Sequence, residues 1–220
     1  MKKILIGSLF VAAAVFLFFF HAGQIPLWSS DEGRFGEIAR EMWESKNFVI
    51  PTFNGIIYLD KPILAPLLTS FSYGAFGVNA LSTRLAPILS ALLGLLVTFL
   101  FVRKLFDLRT AAYAAAILAT TFGYVMVGRF AVIDMIMTFF LTVCLFSLLT
   151  AYLPRQSRYY LLAYAFMGLA FLTKGLFGIV IPGLIFLAFL TWRKDLAEMT
   201  KMRLGWGILI IAAIILPWLI

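Results

Sequence analysis

Seven apolar runs, divided by short charged connections, leave this chain almost no fold except a bundle of helices in a bilayer. They cover residues 4–27, 83–102, 110–127, 135–153, 159–172, 176–192 and 204–220. A helix needs roughly 20 such residues to cross the hydrocarbon core. The fifth run is short and has to borrow flanking residues to span. A mean hydropathy of +1.02 excludes a water-soluble domain, because 13% charged residues cannot cover a surface this apolar. The expected class is all-α: a polytopic transmembrane helix bundle of about seven spans, with interfacial helices in one long outer loop at residues 28–82.

Charge sets the orientation. With the N-terminus inside, the inner connections carry Lys2, Lys3, Arg103, Lys104, Arg109, Arg155, Arg158, Arg193, Lys194, Lys201 and Arg203, against three acids, Asp107, Asp195 and Glu198. The outer connections hold seven bases and seven acids, so the inner excess accounts for the whole net charge of +8. That is the positive-inside pattern. Bases scattered in short clusters do not make a nucleic-acid face, and no nucleic-acid partner is expected. The lone Cys144 rules out a disulfide framework and a cysteine-rich metal site. Lys2-Lys3 ahead of the first run resembles the front of a signal peptide, but the run is too long and lacks an A-x-A site, so it reads as a retained anchor. The chain stops at Pro217-Trp218-Leu219-Ile220, inside an apolar run, and a partial chain is expected.

The long outer loop has structure of its own. Phe35, Ile38, Ala39, Met42 and Trp43 recur at helical spacing, with Arg34, Glu37, Arg40, Glu41 and Glu44 on the other face. This predicts an amphipathic helix lying along the interface. Residues 47–58 carry Pro, Asn and Gly and read as extended or turned. Residues 62–76 are apolar but interrupted by Pro66 and Gly74, and predict a second interfacial or re-entrant helix. His21 and the tryptophans Trp28, Trp192 and Trp206 suit the membrane boundary.

On this topology Asp31, Glu32, Arg34, Asp60, Lys61, Arg129, Asp134 and Lys174 all fall on the outer face, where separate connections can bring them to one site. Each has a plainer explanation. Ser29-x-x-Glu32 fits a capping box, and acids at a helix start meet the macrodipole favourably. Asp60-Lys61 can be a local ion pair. Arg129 and Asp134 can anchor the interface, and Lys174 can snorkel to headgroups.

The ordered set of motifs is more specific than any member. Trp28-Ser29-Ser30-Asp31-Glu32-Gly33-Arg34, then Glu37-Ile38-Ala39-Arg40-Glu41-Met42, resembles the first outer loop of polyprenyl-phosphate-sugar-dependent GT-C glycosyltransferases. These include lipid A aminoarabinose transferases and protein O-mannosyltransferases. The resemblance continues through Asn54-Gly55, Tyr58-Leu59-Asp60-Lys61-Pro62, Phe76-Gly77-Val78, Arg84-Leu85, Arg129, Asp134 and Leu172-Thr173-Lys174-Gly175. The Tyr58–Pro62 segment is similar to the aminoarabinose branch, which often has a second proline where this chain has Ile63. Family members are longer, with further spans and a soluble outer domain, so this chain corresponds to the N-terminal portion.

The resemblance implies a bacterial inner-membrane enzyme with its site facing the periplasm. It would transfer a sugar from a polyprenyl-phosphate carrier to lipid A, another glycan or lipid, or a protein, with inversion. Asp31 is then the base that takes the acceptor's proton, and Asp134 orients the acceptor or replaces it. Lys61 and Lys174 stabilise the leaving phosphate, and Arg34, Arg129, Glu32 and Tyr58 belong to the substrate- and phosphate-binding set. Asp60 is a candidate ligand for a divalent metal. Two other classes stay open on the residues alone. A transporter would show charges on both faces and broken, repeat-related spans, and a non-catalytic assembly subunit would tolerate neutral substitution of the acids.

Overall fold

The computed structural model describes residues 2–219, and side chains from residue 7 onward. The side chains of Lys2-Lys3, used above for orientation, and the last residue of the seventh run, Ile220, lie outside that description. Ten α-helices are present among the described residues: α1 Lys2–Phe19, α2 Ser30–Ser45, α3 Leu64–Phe76, α4 Ala80–Leu105, α5 Leu108–Thr120, α6 Phe122–Arg129, α7 Ile133–Tyr152, α8 Arg158–Lys174, α9 Phe177–Trp192 and α10 Leu204–Leu219. A two-stranded ribbon, β1 Thr52–Phe53 with β2 Ile56–Ile57, interrupts an otherwise helical chain.

Each apolar run carries a helix among the described residues, the first only as far as Phe19, short of the 4–27 expected. Among the described residues, only α4 and α7 are long and apolar enough to span by themselves, and α5 with α6 qualifies as a third span bent by 63°. The bend departs from the continuous helix expected over 110–127. Its cause is local: Thr121 turns extended at ψ 119, and the Thr120 and Thr121 hydroxyls bond back to the Ala116 and Ile117 carbonyls at 2.9 and 2.7 Å. Helix α3 has 13 residues, about 20 Å of rise against a core of about 30 Å. It is too short to cross.

The chain divides into two compact units. One comprises everything up to Tyr58 together with Ala65–Ile136; the other comprises Leu59–Leu64 and Met137 onward.

In the first unit, Ala111, Ala115 and Ala119 form a buried small-residue stripe on α5, the kind of surface that lets helix backbones approach in lipid. Helix α5 packs on α4. Tyr124 on α6 reaches over Gly94 and donates to the Ala91 carbonyl of α4 at 2.7 Å. The predicted apolar face of α2 is covered by protein: Ile38 and Ala39 are fully buried and Met42 nearly so. Such burial of Ile38 and Met42 is worth about 1.5–3 kcal/mol each. Residues 47–58 turn at Asn54-Gly55, both with positive φ, the signature of a tight hairpin. Glu41 of α2 accepts from Thr52 Oγ1 and the Gly55 amide and clasps that hairpin.

The second unit packs α8 against α9 and α10. Its core joins Cys144 and Leu148 of α7, Ala163 and Met167 of α8, and Phe186 and Leu190 of α9. Gly178 lets α9 lie against the α8 backbone, because an added Cβ would sit 2.3 Å from Ala170 C and Phe171 N. Tyr160 donates to Glu198 at 2.9 Å, and Lys201 pairs with the same carboxylate at 2.9 Å.

Candidate active site

Helix α2 presents its first two acids in opposite senses. Ser29, extended at φ −101 and ψ 157, caps the helix by accepting the Glu32 amide at 3.1 Å. The carboxylates of Asp31 and Glu32 then diverge. Asp31 lies on the open face, its side chain 53% exposed and paired with Arg34 Nη2 at 2.9 Å.

Glu32 turns inward and is fully buried. Its Oε1 accepts from Arg84 Nε at 2.8 Å and from the Ala131 amide at 2.8 Å. Its Oε2 accepts from Arg84 Nη2 at 2.9 Å and from the Trp28 amide at 2.9 Å. Burial alone would raise its pKa, but the Arg84 hydrogen bonds, the two amides and the guanidinium charge outweigh that and hold it below the usual value. The capping box is therefore displaced by one residue: Ser29 caps Glu32, while Glu32 returns to Trp28 instead of Ser29. The expectation that Glu32 touches phosphate meets this geometry directly, since all four of its accepting positions are taken by protein donors.

Arg84, one turn into α4, completes the arrangement. Beyond its two bonds to Glu32, Nη1 donates to Ala22 O and Ile25 O at 2.7 Å each, and Nη2 to Pro26 O at 3.0 Å. These carbonyls follow α1 and have no helical partner there; a cation suits them. Arg84 is only 2% exposed. In the sequence it looks like an ordinary basic residue at the head of an apolar run, and its acceptors are 52–62 residues away.

Arg129 ends α6, where a cation meets the helix dipole favourably, and donates to Phe20 O at 2.5 Å. It lines an open cavity of about 560 Å³ with Trp28, Arg84, Phe122, Val125 and Met126. Asp134 is exposed in the first turn of α7. Tyr58 closes the ribbon, its amide donating to Pro51 O at 2.9 Å. These residues, with Asp31 and Arg34, belong to the first unit.

Asp60, Lys61 and Lys174 belong to the second. Asp60 and Lys61 pair at 3.0 Å, the carboxylate 61% and the ammonium 35% exposed. Lys174 is the last residue of α8, half-buried, before Gly175 at φ 68. A metal fits Asp60 poorly: its carboxylate already faces an ammonium, and no group of three or more His, Cys, Asp or Glu that could hold an ion occurs among the described residues.

The chemistry available is that of carboxylates and cations standing at helix ends. Asp31 and Asp134 can accept a proton, and Lys61, Lys174 and Arg129 can meet developing negative charge.

A family model described as dolichyl-phosphate-mannose-protein mannosyltransferase matches residues 60–220. An undecaprenyl phosphate-alpha-4-amino-4-deoxy-L-arabinose arabinosyl transferase of Shewanella sediminis is 32% identical over 209 residues, covering 93% of this chain and 38% of that protein. A similarly named transferase 2 of Pseudomonas fluorescens is 34% identical over 200 residues, covering 88% of this chain and 34% of that protein. The crystal structure of ArnT from Cupriavidus metallidurans bound to undecaprenyl phosphate superposes with a TM-score of 0.93 at 31% identity, covering 96% of this chain and 40% of that one. This chain thus spans less than half the length of these relatives.

Proposed function

The chain belongs to the dolichyl-phosphate-mannose-protein mannosyltransferase family and is an all-α integral membrane protein; from there we propose that it is the N-terminal portion of a glycosyltransferase using a polyprenyl-phosphate sugar. The donor we propose is undecaprenyl phosphate carrying 4-amino-4-deoxy-L-arabinose, and the acceptor is a lipid A-type glycolipid at the outer face of a bacterial inner membrane. One observation carries this reading: nearly the whole chain matches, in sequence and in backbone, a protein crystallised with undecaprenyl phosphate.

In the proposed step the acceptor hydroxyl attacks the anomeric carbon from the side opposite the phosphate. The new carbon–oxygen bond forms as the sugar–phosphate bond breaks, the configuration inverts, and undecaprenyl phosphate departs. The hydroxyl proton passes to Asp31, and Asp134 orients the acceptor. Lys61 and Lys174 meet the charge growing on the leaving phosphate. Arg129 and Tyr58 bind donor, and Arg34 holds Asp31. Glu32 is removed from the substrate-binding set and serves the scaffold.

The test uses the full-length protein in lipid nanodiscs, with undecaprenyl phosphate 4-amino-4-deoxy-L-arabinose and lipid A. Transfer detected by mass spectrometry is the expected result. No transfer from this or another polyprenyl-phosphate sugar, to glycolipid, lipid or protein acceptors, would reject the reading.

A further inference from the structure

We propose that Arg84 is a positioning residue: through Glu32 it sets the placement of both Asp31 and Asp134. Arg84 spends all five of its N–H groups, two on Glu32 and three on the carbonyls of Ala22, Ile25 and Pro26. Glu32 fills its remaining acceptor positions with the amides of Trp28 and Ala131. Seven hydrogen bonds thus close on themselves with neither charged side chain open to solvent. They join four pieces of chain: the segment after α1, the start of α2, the first turns of α4, and the turn between α6 and α7.

Neither residue has a hydrogen-bonding position left for substrate, yet Glu32 is tied to both acids that are proposed to act on it. Asp31 is the chain neighbour of Glu32. Asp134 follows Ala131 by three residues across a tight turn in which the Val132 amide bonds to Phe130 O at 2.8 Å. A shift of the Glu32 carboxylate therefore moves both acids. Only a guanidinium serves here, because lysine has three donors and no planar fork to match a carboxylate side-on. Only a carboxylate serves opposite it. In Glu32→Gln the amide nitrogen, placed at either oxygen's position, faces one guanidinium N–H and one backbone N–H, and both lose their acceptor.

This inference rests on the proposed transferase reading, and the experiment separates the two. Full-length wild-type, Arg84→Lys, Glu32→Gln and Asp31→Asn proteins in nanodiscs are compared by single-turnover transfer, by KM for the carrier-linked sugar, and by amide hydrogen exchange. The two scaffold variants are expected to lower the turnover about 10²-fold, the usual consequence of a small misplacement of reacting groups, with KM little changed. In both, peptides covering residues 27–33 and 129–136 are expected to lose protection together, while α8–α10 stay protected. Asp31→Asn should lower turnover and leave exchange at 129–136 unchanged. Should Arg84→Lys fail to fold, Glu32→Gln, which keeps size and shape, carries both measurements. Wild-type turnover in the scaffold variants, or loss of protection confined to one of the two segments, overturns the inference. Absence of transfer by the wild-type protein rejects the transferase reading instead, and the exchange data then decide whether the two segments are tied.

Discussion

Ser29 caps α2 by accepting the Glu32 amide at 3.1 Å, so the capping bond of the helix that carries Asp31 does not depend on Asp31. Asp31→Asn should therefore leave membrane insertion and carrier binding intact. In the full-length protein it is expected to lower single-turnover transfer by about 10²–10⁴-fold, the range for losing acid–base assistance. Turnover near that of the wild type would remove Asp31 from the mechanism and leave Asp134 as the base.

Glu32 makes a pH-dependent contribution whose sign follows from its lowered pKa. A carboxylate held below its unfolded value adds stability above that value, and the contribution disappears as pH falls through the folded one. Glu32→Gln leaves Arg84 buried with half its partner gone, and at neutral pH the expected loss is about 3–5 kcal/mol. Unfolding in detergent, followed by circular dichroism at decreasing pH, should show the gap between wild type and variant closing below the ordinary carboxylate range. A gap independent of pH would mean that the charge of Glu32 is not what stabilises.

The contact of α8 with α9 depends on Gly178 having no side chain. Gly178→Ala puts a methyl 2.3 Å from backbone atoms of α8, which cannot rotate aside. The expected cost is about 1–3 kcal/mol, read as a lower melting temperature in detergent. Gly123→Ala, with nothing within 4 Å of its added carbon, should melt with the wild type. Equal melting of the two variants would contradict the close packing.

Cysteine labelling tests sidedness. Gly175 is a poor position for the probe because its φ of 68 strains any other residue. Exposed Ser45 and Leu176 serve better for the outer face and Arg103 for the inner, in a background from which the buried Cys144 is removed. Ser45→Cys and Leu176→Cys should react with impermeant reagent in intact cells, and Arg103→Cys only after permeabilisation. Labelling of Leu176→Cys from the inside alone would take Lys174 off the outer face and remove it from the proposed mechanism.

Local patterns proved readable and distant ones did not. The spacing of Phe35, Ile38, Ala39 and Met42 marks the buried face of α2, Asn54-Gly55 marks a turn, and Pro62 to Phe76 announces a helix too short to cross, because each depends on neighbouring residues. The bend at Thr121 has no proline to signal it; its cause is two adjacent threonine hydroxyls competing for helix carbonyls. Glu32 was legible at the helix start, and its four protein donors were not. Nothing near Asp31-Glu32 in the chain distinguishes the acid that faces outward from the one answered by Arg84, 52 residues further on.

That spacing also sets an order of assembly. When Arg84 leaves the ribosome, its carboxylate and three of its carbonyls have already been made, but the Ala131 amide that completes the node lies 99 residues beyond Glu32. Synthesis proceeds from the N-terminus, and segments fold as they emerge. The outer loop can therefore close on its first half early, yet Asp134 can join Asp31 only after the bent third span has been threaded and residue 131 delivered to the same side. The order in which the spans enter the bilayer is thereby written into which bonds the node can make, and when.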